Sequence, residues 1–195
     1  MIESQRNNCL ENLQDKIQEN FPRHITILLT RFPDPYSKTV SVWTRFHYTH
    51  ASIGLDEDVN TFYSFVTKGF IVEKVTRYVR PEWKPLPCEL YHIPVTEEHY
   101  QHIKEILQTF VERKSSLQYT KLGVLLSLLR IPHKRKNKYF CSQFVAEVLK
   151  DSQCAIISKH PSLYMPKDIS KLPQKHLVFK GTLPDMVKKF GLAQN

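Results

Sequence analysis

The spacing of apolar positions divides the first part of the chain into a helix followed by a strand. Over residues 2–20, apolar side chains recur three and four apart among polar neighbours, which predicts a short amphipathic helix. Residues 24–32 are rich in β-branched and apolar residues and stop at a Pro-Asp-Pro sequence, which predicts a strand ended by a turn. A loop is predicted over residues 36–39.

Strand-like patterns continue through the middle of the chain. Residues 48–55 alternate as a strand, and an acidic turn at residues 56–60 leads to a second strand at residues 61–66, so the two are expected to form a hairpin. Two more apolar stretches, residues 71–79 and 88–95, are separated by a proline-rich segment that is typical of a loop.

Helical patterns dominate the second half. Thr96 is a typical cap for a helix reaching residue 114, with acids in its first turn and bases in its last. Residues 122–131 predict a buried helix ending before a proline, and residues 139–152 a helix with one apolar stripe. From His160 onward, repeated prolines predict one or two strands wrapped around the body. The expected fold is α+β, with an antiparallel sheet of five or six strands.

Length and charge restrict the function classes. With 195 residues and 41% hydrophobic residues, the chain predicts one globular domain, residues 1–195. Lys plus Arg number 28 and Asp plus Glu 19, so the net charge is +9, which favours anionic partners such as phospholipid headgroups or acidic polymers. Zinc-finger spacing, an RNP-like aromatic motif and a helix-turn-helix are absent from the sequence, so nucleic acid is not an expected partner.

The cysteines predict free thiols in a reducing compartment. Cys9, Cys88, Cys141 and Cys154 form neither a CxxC pair nor a regular disulfide framework. The sequence also lacks the apolar run of a signal peptide and that of a membrane-spanning helix. A cytoplasmic location is therefore expected, and no metal or organic cofactor is predicted.

Cys141 is the candidate nucleophile, because it falls in the first turn of the helix predicted over residues 139–152. Unpaired N–H groups and the helix dipole favour negative charge there, and the basic run of residues 133–138 adds positive potential. A thiolate near neutral pH could attack a carbonyl, while the same N–H groups hold the oxyanion. The alternative is a buried, inert thiol, which is also the expectation for the other three cysteines.

His50 is the candidate base among the nine histidines. It opens an alternating strand in which the small Ser52 and Gly54 share its face, which predicts open space beside the imidazole. His47 is the rival, but it lies before the regular alternation. A structural role for a single strand histidine is the alternative.

Two motifs together resemble a known family. The helix sequence Cys-Ser-x-Phe-Val-Ala at Cys141, preceded far upstream by the strand His-Ala-Ser-Ile-Gly-Leu at His50, is similar to the circularly permuted papain-like cysteine hydrolases. These include the bacterial YiiX-like amidases and peptidases of the NlpC superfamily and, more distantly, the lecithin–retinol acyltransferase group. The resemblance covers about residues 24–165, which leaves residues 1–20 as an N-terminal helix and residues 166–195 as a C-terminal wrap. It implies a permuted papain-like fold with Cys141 as nucleophile and His50 as general base.

The residue that would orient the histidine departs from the family pattern. Family members usually supply a third polar residue on the strand after the histidine strand, and that strand carries Thr61, Tyr63 and Ser64 here. Ser64 could accept a hydrogen bond from the imidazole, and Tyr63 could donate to an oxyanion. A backbone carbonyl or a water molecule would be the alternative.

The expected function is cysteine-dependent hydrolysis of an amide bond in a peptide or peptide-like substrate, for instance one derived from a cell wall. An acyltransferase or lipid-ester hydrolase using the same pair is one alternative, and a catalytically silent module that binds an anion or a protein is another. The basic run of residues 133–138 is either a solvated loop or a site for an acidic substrate. Residues 122–131 would be a lipid-facing or partner-binding surface if they were exposed. The oligomeric state is left open.

Overall fold

A six-stranded antiparallel sheet organises the chain in this computed structural model, which describes residues 21–33 and 35–192. The helix predicted over residues 2–20, with Cys9, lies outside the described residues. In the order β4-β3-β2-β1-β5-β8, the strands of the sheet are β1 (Arg23–Thr30), β2 (His50–Leu55), β3 (Thr61–Val66), β4 (Gly69–Lys74), β5 (Pro87–Val95) and β8 (His176–Thr182). Two short parallel strands, β6 (Gln118–Tyr119) and β7 (Lys138–Tyr139), pair apart from it.

The register of the central strands places His50 at the start of β2. Along β1, Thr30 pairs with His50 on one side and with Cys88 of β5 on the other. The hairpin of β3 and β4 continues the sheet, and its register sets Phe62 opposite Glu73. Since side chains alternate along a strand, His50, Ser52 and Glu73 point to the same face.

Within the described part of the chain, six α-helices surround the sheet. They are α1 (Pro35–Thr44), α2 (Glu97–Glu112), α3 (Lys121–Leu128), α4 (Cys141–Asp151), α5 (Pro166–Ile169) and α6 (Leu183–Lys189). The side chain of Thr96 accepts a hydrogen bond from the His99 N–H and caps α2, as predicted.

Each face of the sheet carries its own apolar core. On one face, α2 and α4 pack through Ile103, Phe144 and Val145 against Ile27 and Ile53. A smaller core on the other face joins the sheet to α6. The α+β class and the antiparallel sheet are therefore confirmed.

Three predictions about elements need correction. The loop predicted over residues 36–39 belongs to the helix α1, which begins at Pro35, a residue well suited to the first helical position. The strand predicted to reach residue 79 ends at Lys74, and a 3-10 helix follows. The tail beyond His160 contributes one edge strand, β8, but also the helices α5 and α6.

Candidate active site

Cys141 is the first residue of α4. The preceding Phe140 has an extended backbone and provides no side-chain cap, and its carbonyl accepts the N–H of Phe144. The N–H groups of the first turn, from Cys141 to Gln143, therefore have no partner within the helix. Cys141 is only 6% exposed and lines a cavity.

His50 lies at the edge of the same cavity. It begins β2, a strand that is buried along its whole length. Its imidazole packs edge-on against the ring of Phe32, with the centroids 5.1 Å apart. Its imidazole and the Cys141 thiol interact closely enough to shift each other's pKa, so the structure brings the two predicted site residues together.

A buried carboxylate holds the imidazole from the other side. His50 Nε2 is 3.4 Å from Glu73 Oε1 and 3.2 Å from Ser52 Oγ. Ser52 Oγ donates to Glu73 Oε1 at 2.8 Å, and Tyr78 donates to Glu73 Oε2 at 2.6 Å. Glu73 is 6% exposed, so its charge lies out of water and depends on these partners.

Cys141, His50 and Glu73 shift one another's pKa values in the directions that favour their charged forms. Burial acts to lower the pKa of His50, but its interactions with Cys141 and Glu73, which accept from the imidazolium, outweigh burial and raise that pKa. Burial acts to raise the pKa of the Cys141 thiol, but the imidazole and backbone groups of Ala51 and Ser142 lower it. The pKa of Glu73 is lowered in spite of burial, mainly by His50. These shifts all favour the charged forms of the three groups, which are a thiolate, an imidazolium and a carboxylate.

The cavity shared by Cys141 and His50 measures about 290 Å³. Apart from His50 and Cys141, its described lining carries no ionisable side chain that is charged near neutral pH, and aromatic rings form much of it. The lining residues are Phe32, Ser37, Thr49, His50, Phe65, Val66, Thr67, Tyr78, Tyr119 and Cys141.

The residues of β3 do not orient His50. Ser64 Oγ donates to the Ala51 carbonyl at 2.7 Å, and Thr61 donates to Asp58. Tyr63 stacks on Phe70, on the opposite face of the sheet from His50. The predicted candidates for the third polar residue of the site therefore do not contact His50. Glu73, on the next strand, β4, contacts it instead.

Sequence reasoning missed Glu73, Ser52 and Tyr78. The available signal was a single carboxylate inside the apolar stretch Ile-Val-Glu-Lys-Val, since a charge at a buried strand position needs partners. His50 does border a cavity, as expected, but neither Ser52 nor Gly54 lines it. Ser52 Oγ lies 3.2 Å from His50 Nε2, and a Cβ added at Gly54 would lie 2.5 Å from Thr26 Oγ1.

The other described cysteines lack this environment. Burial raises the pKa of Cys88 to about 12 and also raises the pKa of Cys154. Cys88, Cys141 and Cys154 are all free thiols.

The basic run is partly engaged within the protein. Lys134 Nζ is 3.0 Å from the carboxylate of Glu147, which also accepts a hydrogen bond from Gln143. Arg135 and Lys136 are exposed. None of these bases lines the cavity of Cys141.

Comparison with known proteins identifies a similar fold. The chain is similar to the crystal structure of the metalloprotein YiiX from Escherichia coli O157:H7, with a TM-score of 0.56 and 12% identity over 83% of this chain and 98% of that one. No protein-family model matches the sequence. No curated protein matches it either. At this identity, the similarity establishes a shared fold and leaves the activity open.

YiiX is described as a metalloprotein. Across residues 21–33 and 35–192, no three His, Cys, Asp or Glu side chains are grouped so that they could hold a metal ion. Within the same ranges, no helix has the length and apolar character needed to cross a bilayer.

Proposed function

We propose that the protein is a cysteine hydrolase of the circularly permuted papain-like type, which cleaves an amide bond in a peptide or peptide-like substrate. The observation that carries this proposal is the buried array of Cys141, His50 and Glu73 at one wall of a cavity. The fold shared with YiiX agrees with it.

In the proposed reaction, the resting proton of the Cys141 thiol resides on His50. Because Nε2 faces Ser52 and Glu73, Nδ1 is the ring nitrogen left to exchange that proton. The thiolate attacks the substrate carbonyl carbon, and free N–H groups at the start of α4 are the donors available to the oxyanion. His50 then protonates the leaving nitrogen as the C–N bond breaks, and a thioester remains.

Water completes the cycle. His50, now neutral, removes a proton from the water molecule that attacks the thioester carbon. The C–S bond breaks, the acid leaves, and the thiolate and imidazolium are restored. Glu73 stabilises the imidazolium at each stage and fixes the orientation of the ring.

A second function, acyl transfer or lipid-ester hydrolysis by the same pair, is favoured by the cavity lining. Uncharged, largely aromatic side chains such as Phe32, Phe65 and Tyr119 suit an apolar acyl group better than an anionic peptide. Incubation with p-nitrophenyl esters of short and long acyl chains, and with a peptide anilide, separates these functions. Mass spectrometry follows the acyl group to Cys141 and then to water or an added amine.

The thiol itself provides the first test. At about pH 5.5, iodoacetamide should label Cys141 at least about tenfold faster than Cys154, because the pKa of the Cys141 thiol is lowered and that of Cys154 is raised. Site-resolved mass spectrometry after limited labelling measures both rates in one sample. The variant His50→Gln should lose this labelling at low pH and retain it at high pH.

The matched control is His47→Gln, because His47 is exposed and lies three residues from His50. This variant should label like the unmodified protein. Equal rates for Cys141 and Cys154 at low pH would contradict the proposal and favour a silent binding module. The free thiols at Cys88, Cys141 and Cys154 support the proposal that the protein works in a reducing compartment such as the cytoplasm.

A further inference from the structure

Two helices beside the active site expose apolar side chains. On α1, Val42 is 76% exposed and Trp43 63%. The helix α3 was predicted to be buried, but the face opposite its buried residues lies open to solvent. That face carries Leu122, Leu125 and Leu129.

A cationic cavity of about 510 Å³ lies between these helices. Trp43 and Leu128 contribute to its wall, and four of its lining side chains are basic while one is acidic. The charged residues are Arg45, Arg130, Lys159, Lys167 and Asp168.

The basic side chains are only partly neutralised. Lys159 pairs with Asp168 at 2.7 Å, and Lys167 donates to a backbone carbonyl of α1. Arg45 and Arg130 have no ion-pair partner among the residues that the structure describes. Two guanidinium groups are therefore available to an anion at the cavity.

We infer that this surface, made by α1, α3 and the cationic cavity between them, docks onto a bilayer that contains anionic phospholipids. Phosphate groups of the lipids would meet Arg45 and Arg130, because guanidinium groups match phosphate oxygens. Trp43 would lie at the headgroup level, where amphipathic rings are enriched, and the leucines would reach the acyl boundary. The net charge of +9 adds long-range attraction to such a surface.

A bilayer fits the distribution of these residues better than a protein partner does. The apolar side chains lie on both sides of a positively charged cavity instead of forming one central patch with a polar rim, which is the usual anatomy of a protein interface. Apolar groups with basic neighbours are typical of segments that lie in a membrane interface.

The surface adjoins the candidate active site. Phe140, which directly precedes Cys141, packs against Val40 of α1 and Val124 of α3. Ser37 of α1 lines the cavity of Cys141. Docking would therefore hold that cavity close to the bilayer, although the docking itself uses none of the proposed catalytic residues.

Vesicle sedimentation tests the inference. The protein is mixed with vesicles of phosphatidylcholine alone or with about 30 mol% phosphatidylserine, at low and at high salt. We expect binding to the anionic vesicles, weakened by salt. A variant combining Trp43→Ser, Arg45→Gln and Arg130→Gln should bind them at least about tenfold more weakly.

A matched variant controls for net charge and for the loss of a tryptophan. Arg80→Gln, Trp83→Ser and Lys84→Gln remove one tryptophan and the same number of positive charges from another exposed loop. This variant should bind like the unmodified protein, and so should Cys141→Ser, which separates docking from the proposed catalysis. Circular dichroism verifies that each variant is folded.

Several outcomes would overturn the inference. The first is equal sedimentation with and without phosphatidylserine, and the second is equal weakening by the control variant. The third is a protein that forms a dimer through this surface in the absence of lipid. Such a dimer would be detected if the variant with Trp43→Ser, Arg45→Gln and Arg130→Gln were monomeric.

Discussion

At the scale of single residues, Glu73 determines the charge state of the site. It is the one carboxylate within hydrogen-bond range of His50 among the described residues, and Ser52 and Tyr78 hold both of its oxygens. Its negative charge is therefore a direct cause of the raised pKa of His50.

Replacing Glu73 by Gln keeps the shape of the side chain and removes the charge. The pKa of His50 should fall and that of the Cys141 thiol should rise, so the rate of iodoacetamide labelling should reach half its maximum at higher pH. Acylation of Cys141 should slow by about tenfold to a hundredfold, as for other residues that orient a functional histidine. The pH profile of labelling is the measurement.

Glu89→Gln is the control for this substitution. Glu89 is a similarly buried carboxylate, on β5, and it binds Tyr91 and Lys180 away from the cavity. Its substitution should leave the labelling profile of Cys141 unchanged. An unchanged profile in Glu73→Gln would contradict the role assigned to Glu73.

The sequence identified Cys141 and His50 because each lies at the start of an element whose pattern is strong. Glu73 could not be assigned in the same way, because its position depends on a hairpin and on the register between β3 and β4. That register is set by packing across the whole sheet, which local patterns do not encode.

At the scale of elements, Gly54 allows β2 to fit between its neighbours. A Cβ at this position would lie 2.5 Å from Thr26 Oγ1 and 2.9 Å from the Thr61 carbonyl oxygen, and the second atom belongs to the backbone of β3. The strand that begins with His50 thus depends on a missing side chain for its close approach.

Gly54→Ala should lower the free energy of unfolding by about 1–3 kcal/mol, since the backbone of β3 must move to admit the methyl group. Urea denaturation measures the change. Gly181→Ala is the control, because the atoms nearest to its added Cβ belong to the ring of Phe179, which can turn aside. A loss in Gly54→Ala no larger than in Gly181→Ala would contradict this explanation.

The helices show where element prediction fails. In α2, apolar residues recur three and four positions apart among polar ones, so both its N-terminal cap and its buried face were predictable. Residues 122–131 are apolar on nearly every side, so the pattern predicts a helix without showing which face is buried. For α1, the two prolines near its start were interpreted as a turn, although the second begins the helix.

At the scale of the whole molecule, three histidines lie side by side from the centre of the sheet to its edge at β8. His24 of β1 stacks on His92 of β5 with centroids 3.9 Å apart, and His176 of β8 pairs with His92 in the strand register. Burial lowers the pKa of His92 to about 4, and His24 and His176 add to that effect while Asp56 opposes it. Burial lowers the pKa of His24 as well.

These shifts predict a loss of stability in acid. The unfolded chain binds protons at the ordinary imidazole pKa of 6.5, whereas folded His92 resists them down to about 4. The contribution of His92 to the free energy of unfolding is therefore complete above pH 6.5 and is lost as the pH falls toward 4. Its size should be about 1 kcal/mol, since the ring is only partly buried.

Comparing the free energy of unfolding of the unmodified protein with that of His92→Gln isolates this effect. Both are measured in urea across that pH range, and the difference between them should change as the pH falls. His102→Gln, on the exposed surface of α2, is the control and should give a constant difference. A constant difference for His92→Gln would contradict the assignment.

The overall architecture was more predictable than its connections. Alternating patterns and turns between residues 24 and 95 predicted an antiparallel sheet, and five of its six strands come from that part of the chain. The sixth, β8, is a half-exposed edge strand followed by α6, and it lies in the tail beyond His160 for which one or two strands were predicted. That all of residues 1–195 form one domain stays a prediction.

The order of the site residues along the chain determines when the site can form during synthesis. His50 and Ser52 lie in β2 and Glu73 in β4, and both strands leave the ribosome well before Cys141 does. Until α4 docks on the sheet, the sulfur has neither the imidazole nor the helix terminus that lowers its pKa, so it behaves as an ordinary thiol. Its alkylation rate during synthesis or refolding would therefore report the moment at which the native arrangement is complete.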